Sequence, residues 1–177
     1  LDTGYDFYIT GDCSDAEGIT IGPKRFYYGY CVPSTQYSEY LSEISTEGGL
    51  SNIDYTATSQ PAGSYDNQSN IELVVLLGGQ VDLSTVYSAG SHGLNVWVDW
   101  DNSLTFEEEE KIYTYNGTAS QTGVLDFPAD MEVGTYRMRI RGQYGTSANP
   151  PPCGQVNYGS TVDFTLNVVE LDCMPAV

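Results

Sequence analysis

The sequence predicts an all-β, jelly-roll-like sandwich of about ten short antiparallel strands. Three observations predict it. Aromatic and β-branched residues are abundant (15 Tyr, 12% aromatics), and they are cut at short intervals by Gly, Ser, Asn and Asp. Apolar and polar residues alternate with period two in several stretches. No stretch carries a sustained helical period, although Tyr37, Leu41 and Ile44 would fit one.

The elements follow in chain order. Tyr5, Phe7 and Ile9 share one face of a strand over Tyr5–Thr10, and Arg25–Cys31 reads as a second aromatic strand. Cys13–Lys24 between them is turn-rich and acidic. Residues 33–49 favour strand, closed by Gly48-Gly49, and Leu50–Thr58 is a short strand. Residues 59–69 read as a polar loop. Ile71–Leu77 is a continuous apolar run, which predicts a buried central strand. Gln80–Ser88, Lys111–Tyr115 and Gln121–Phe127 are further strands, with Asn116-Gly117 as a hairpin signal. Pro128–Gly134 is loop or a single turn. Tyr136–Gln143 alternates strictly. Pro150-Pro151-Pro152 cannot donate to a ladder and marks Gly145–Gly154 as loop. Val162–Val168 is the last strand, followed by a tail. Residues 1–29 form an N-terminal extension and 30–177 the main domain.

The chain is built around Leu94–Glu110. Asn95, Trp97 and Asp99 point one way and Val96, Val98 and Trp100 the other, the pattern of a strand with one buried face. Both tryptophans cannot sit in one core layer, so one is expected under a loop. The strand then runs into a loop rich in oxygen ligands. Asp99, Asp101, Ser103, Thr105 (through its carbonyl), Glu107 and Glu110 stand at positions 1, 3, 5, 7, 9 and 12 of a calcium loop. A hard cation needs six to eight oxygens around it, and this spacing delivers them. Leu104 stands where such loops place Gly, and Ser103 where they place a carboxylate. The alternative is a solvated acidic turn.

The formal net charge of −18 repels nucleic acid and anionic membranes. No apolar run is long enough to span a bilayer as a helix. Cys13, Cys31, Cys153 and Cys173 lack a Cys-x-x-Cys pair, which argues for two disulfides in an oxidising compartment and leaves three pairings open. With no signal peptide, Leu1 is expected to begin a processed, secreted chain. Arg137, Arg139 and Arg141 lie on one strand face and make up half of the six basic residues. They suit either a bound anion or a surface ladder against Asp99, Asp101 and nearby glutamates, the latter being favoured amid so much acid. The single histidine, His92, falls in a turn, and no nucleophile elbow, His-Glu-x-x-His or Cys–His pattern is present. No enzyme is expected. Exposed tyrosines could stack on sugar rings, but the sequence does not say which.

Several segments together resemble the GEVED domain family. Tyr30-Cys31-Val32-Pro33-Ser34 is similar to its opening, and Tyr40-Leu41 with Ile44 to its next strand. Val96-Trp97-Val98-Asp99-Trp100-Asp101, with Phe106 and Glu110, resembles its central block. Gly134-Thr135-Tyr136-Arg137-Met138-Arg139 resembles its Gly-Thr-x-Arg-Met-Arg strand. At the motif that names the family, Gly159-Ser160-Thr161-Val162-Asp163-Phe164 keeps the Gly and Asp and loses both glutamates. The resemblance covers roughly residues 30–169. It implies a secreted bacterial β-sandwich module without catalytic activity, either structural and adhesive or, alternatively, carbohydrate-binding. It also implies pairing of Cys31 with Cys153 near the two ends of the family-like segment, leaving Cys13 to pair with Cys173. A last expectation concerns assembly. The apolar face of Tyr5–Thr10 must be covered, either within its own chain or by a neighbouring copy in a filament.

Overall fold

A computed structural model describes residues 3–10, 20–117, 119–146 and 148–170; before Gly29, side chains are described for Asp6 and Tyr8 alone. Cys13 and Cys173 lie outside the described residues. The chain divides into two compact units, Leu1–Cys31 and Val32–Val177.

The first unit is a two-stranded antiparallel sheet of β1 (Thr3–Thr10) and β2 (Thr20–Tyr28). β1 thus finds its backbone partner in its own chain. Thr20–Lys24, expected as turn, is strand. Asp6 and Tyr8 are exposed, as alternation in β1 requires.

The second unit is a sandwich, and almost all of it is strand. Its elements are β3 (Ser34–Ser38), β4 (Leu41–Glu47), β5 (Asp54–Thr56), β6 (Tyr65–Leu76), β7 (Gln80–Tyr87), β8 (His92–Val98), β9 (Lys111–Asn116), β10 (Ser120–Asp126), β11 (Gly134–Tyr144) and β12 (Gln155–Val169). One sheet runs β10-β7-β4-β5; the other runs β3-β12-β11-β8-β9, with β6 also on β12. Between them lies one core, including Ile44, Leu83, Val96, Val98, Met138, Ile140, Val162 and Phe164.

Three expectations about elements need correction. β3 and β6 both join β12 in parallel, so the sandwich is not wholly antiparallel. Residues 65–69 are strand rather than loop. And β6 is no central strand: within its sheet it pairs β12 alone, and only Leu73 and Val75 of its apolar run are fully buried. An apolar run marks burial but does not say how many neighbours a strand has.

β8 departs most from expectation, since every one of its residues is buried. Leu94, Val96 and Val98 face the core. On the opposite face stand Asn95 and Trp97. Asn95 Nδ2 donates to Asn149 Oδ1 (2.7 Å) and to the Pro150 carbonyl (2.9 Å). Trp97 is buried and stands outside the core cluster, while the half-buried Trp100 packs edge-on to Tyr136 against the core.

Candidate metal centre

β8 ends at Val98, and Asp99 continues its line at zero exposure. The chain then has to turn sharply, which it does through Asn102 (φ 55°) and Leu104 (φ 70°), both left-handed. Leu104 therefore adopts the backbone that Gly supplies in calcium loops. Asp99 organises the turn: Oδ1 accepts the Ser103 N–H (3.0 Å) and Oδ2 the Leu104 N–H (3.0 Å). Asp101 Oδ1 also accepts from Ser103 N–H (2.9 Å). That bond, first among the causes, holds the Asp101 carboxyl below its ordinary range.

The loop returns through Phe106, buried, to a single 3-10 turn over Glu108–Glu110. Glu107 and Glu110 form a reciprocal capping box there. Glu110 is buried, and its two oxygens accept the Trp100 N–H (2.7 Å) and the Glu107 N–H (3.0 Å). Burial, aided by the Asp99 charge, raises its carboxyl to about 7.

Ligand oxygens of Asp99, Asp101 and Glu110 come within 4.8 Å of one another. Half of the six expected ligands therefore converge through carboxylates. Each of their oxygens retains a second lone pair after its backbone bond, so the set can still coordinate a cation. Glu107 stands apart from this group; its side chain accepts from Thr105 Oγ1, which in turn bonds Ser103 Oγ (2.8 Å). Ser103 and Thr105 are exposed on the same turn.

The arginines do not form a surface ladder against this loop. Arg139 and Arg141 are fully buried on the outer face of the larger sheet. Arg139 grips Asp163 on the adjacent strand, Nε to Oδ1 and Nη2 to Oδ2, both at 2.7 Å. Asp163 also accepts from Tyr65 OH (2.8 Å), and Arg137 Nη1 stands 3.9 Å away. The Arg139 guanidinium lies over the Phe106 ring at 4.7 Å and donates to the Pro152 carbonyl (2.9 Å). Arg141 donates to the carbonyls of Pro151 (2.6 Å), Cys153 (2.8 Å) and Gly154 (2.7 Å). Prolines without N–H groups leave carbonyls in need of donors, and the two arginines supply them. Burial, with Arg139 beside it, lowers Arg141 to about 10, still cationic at neutral pH. Cys31 and Cys153 are both disulfide-bonded.

His92 is not in a turn. It opens β8 with no exposure, stacked on Tyr87 (3.8 Å, 3°), with Nε2 at 3.0 Å from Glu39 Oε2.

The GEVED domain model matches residues 93–167. The match supports the resemblance read from the sequence. It takes in β8, the acidic loop, the arginine strand β11 and nearly all of β12. The two residues retained from the GEVED name motif have plain structural reasons. Gly159 has φ 142°, and a Cβ there would stand 2.0 Å from the Gly142 carbonyl oxygen; Asp163 is the partner of Arg139. The two glutamate positions hold Ser160 and Val162, both buried on the core side of β12. Ser160 Oγ accepts the Leu41 N–H (2.8 Å), and Val162 packs in the core. Losing the glutamates here therefore leaves the arginine clamp intact. A CARDB domain from Pyrococcus furiosus, solved in complex with di-metal ions, is similar to 55% of this chain over 86% of its own length. Identity is 13% and the TM-score 0.33. No curated protein matches the chain. Among the described residues, no helix is long and apolar enough to cross a membrane.

Proposed function

We propose that this chain is a non-catalytic, calcium-stabilised structural and adhesive module on the outside of a bacterial cell. The observation that carries the reading is the convergence of Asp99, Asp101 and Glu110 at the end of a fully buried strand. A cation there neutralises carboxylates that otherwise repel one another, and fixes the loop carrying Phe106 beneath the arginine clamp. On the larger sheet's outer face, Asn95, Arg139, Arg141 and Asp163 spend most of their buried polar groups on internal bonds, which suits a load-carrying body rather than a reaction centre. The disulfide-bonded cysteines and acidic surface suit an oxidising, extracellular setting. Copies of the chain associate through the edges of the β1–β2 hairpin, by strand addition.

Calcium titration by calorimetry into chelator-treated protein tests the metal site. A dissociation constant of about 0.1–1 mM is expected, the range of extracellular modules. Binding is expected to vanish in Asp99→Asn, and no heat with calcium at several times that concentration would overturn the reading.

A further inference from the structure

Tyr37, Tyr158 and Tyr144 come from three adjacent strands, β3, β12 and β11. Register pairs Tyr37 with Tyr158 and Tyr144 with His92, while Gln143 opposite Gly159 sets Tyr144 beside Tyr158. The result is one aromatic row across four strands. Tyr144 and Tyr158 have the same parity as Met138, Ile140, Val162 and Phe164, so the row lies on the core side of its sheet.

The facing sheet does not extend far enough to cover it. β7 ends at Tyr87, and β4 begins at Leu41, which pairs with Tyr87. Tyr87 stacks on His92, the inner end of the row, and buries it. Beyond that point the three tyrosines stand 52% (Tyr144), 36% (Tyr158) and 48% (Tyr37) exposed. Their rings order one another. Tyr37 and Tyr158 stack at 4.7 Å and 26°; Tyr144 and Tyr158 lie 5.8 Å apart. A ledge already held in place loses little side-chain entropy when a ligand settles on it.

We propose that Tyr37, Tyr144 and Tyr158 form a binding ledge for a neutral polysaccharide. This rests on the adhesive reading above and names the surface through which adhesion occurs. A ring with an apolar face and a hydroxyl tip matches a pyranose, which has an apolar face and a hydroxyl rim. Charge selects the class of polymer. The chain carries −18, and the Glu39 carboxylate borders the inner end of the ledge against His92, so uronates and sulfated glycans are repelled. An alkylammonium ligand is a poorer fit, because Tyr37 and Tyr158 close on each other and leave no slot between them.

Native gel electrophoresis through soluble polysaccharides tests the ledge, with a mixed-linkage β-glucan, a xylan and a galactomannan as neutral probes and alginate as the anionic one. At least one neutral polymer is expected to retard the full chain, and alginate is not. Tyr144→Ala and Tyr37→Ala should each weaken retardation about tenfold, the loss of one stacked ring. Tyr144→Phe, which keeps the ring, should bind as the parent does. Thermal melts of each variant establish that the fold is kept. If no neutral polymer retards the parent chain, or if folded alanine variants bind unchanged, the ledge is wrong. Retardation that persists in the alanine variants leaves adhesion standing with its surface elsewhere, and the calcium titration stands or falls independently of either result.

Discussion

Asp163 takes two charge-assisted bonds from Arg139 and one from Tyr65 without any exposure to water. A pair of this kind is dear to break from one side, because the remaining charge is left buried. Arg139→Ala should lower unfolding free energy by about 3–5 kcal/mol. Replacing both partners with apolar residues, as in Arg139→Met with Asp163→Leu, should cost clearly less; equal losses in urea melts would contradict the clamp. His92 makes a pH prediction. Burial lowers it to about 4 from its ordinary 6.5, so its neutral form contributes to stability fully above 6.5 and loses that contribution as pH falls towards 4. The loss is about 3 kcal/mol at most. Glu39, which faces it, acts in the opposite sense: burial raises its carboxyl, so its cost appears as pH rises above 4.5. Tyr144 meets the ring edge-on, and Tyr87, stacked on its face, has its hydroxyl pushed well above its ordinary range by burial and stays neutral in that window. The difference between the parent and His92→Gln isolates the histidine; parallel stability curves from pH 7 to 4.5 would rule its contribution out. None of this was legible beforehand. Arg139 and Arg141 read as surface residues in an acidic chain because their roof, Pro150–Pro152, is joined to them only by the fold.

Among the elements, β8 and β11 were readable from alternation, since a strand with one face in a core repeats every second residue. Their outer faces were not. Asn95 looks half-exposed until the proline loop is laid over it, and Trp97 on the same face is buried as well. β6 misled for the converse reason: its apolar run is dense, yet the strand lies on the sheet's margin. The acidic loop was legible as a loop, and of its six expected ligands Asp99, Asp101 and Glu110 come together. Even there, Leu104 read as a defect, and its left-handed backbone shows that the turn forms without Gly. β1 and β2 are the element on which assembly depends. Among the described residues β1 and β2 form a sheet of two strands, and a two-stranded sheet is marginal alone in water. Deleting Leu1–Thr10 should convert a chain that associates with rising concentration into a monomer in sedimentation velocity. A monomeric parent, or a truncated chain that still associates, would remove strand addition from the account.

At the scale of the whole molecule, the sandwich has two interiors of different chemistry. One is the apolar layer between the sheets; the other is the arginine-rich layer between the larger sheet and its loops. The all-β class and the GEVED resemblance were both open to sequence reading. The second interior was not, since it depends on contacts between residues far apart in the chain. The acidic loop meets that interior at Phe106, beneath Arg139, so a cation held by Asp99, Asp101 and Glu110 should stabilise the body and not merely the loop. Thermal unfolding of chelator-treated protein with and without calcium tests this most directly. At calcium about a hundredfold above its dissociation constant, the gain is about 2.7 kcal/mol, or a midpoint rise of roughly 5–10 °C. Magnesium at the same concentration should do much less, and Asp99→Asn should show no rise with either ion. An unchanged midpoint for the parent chain at that calcium concentration would contradict the account.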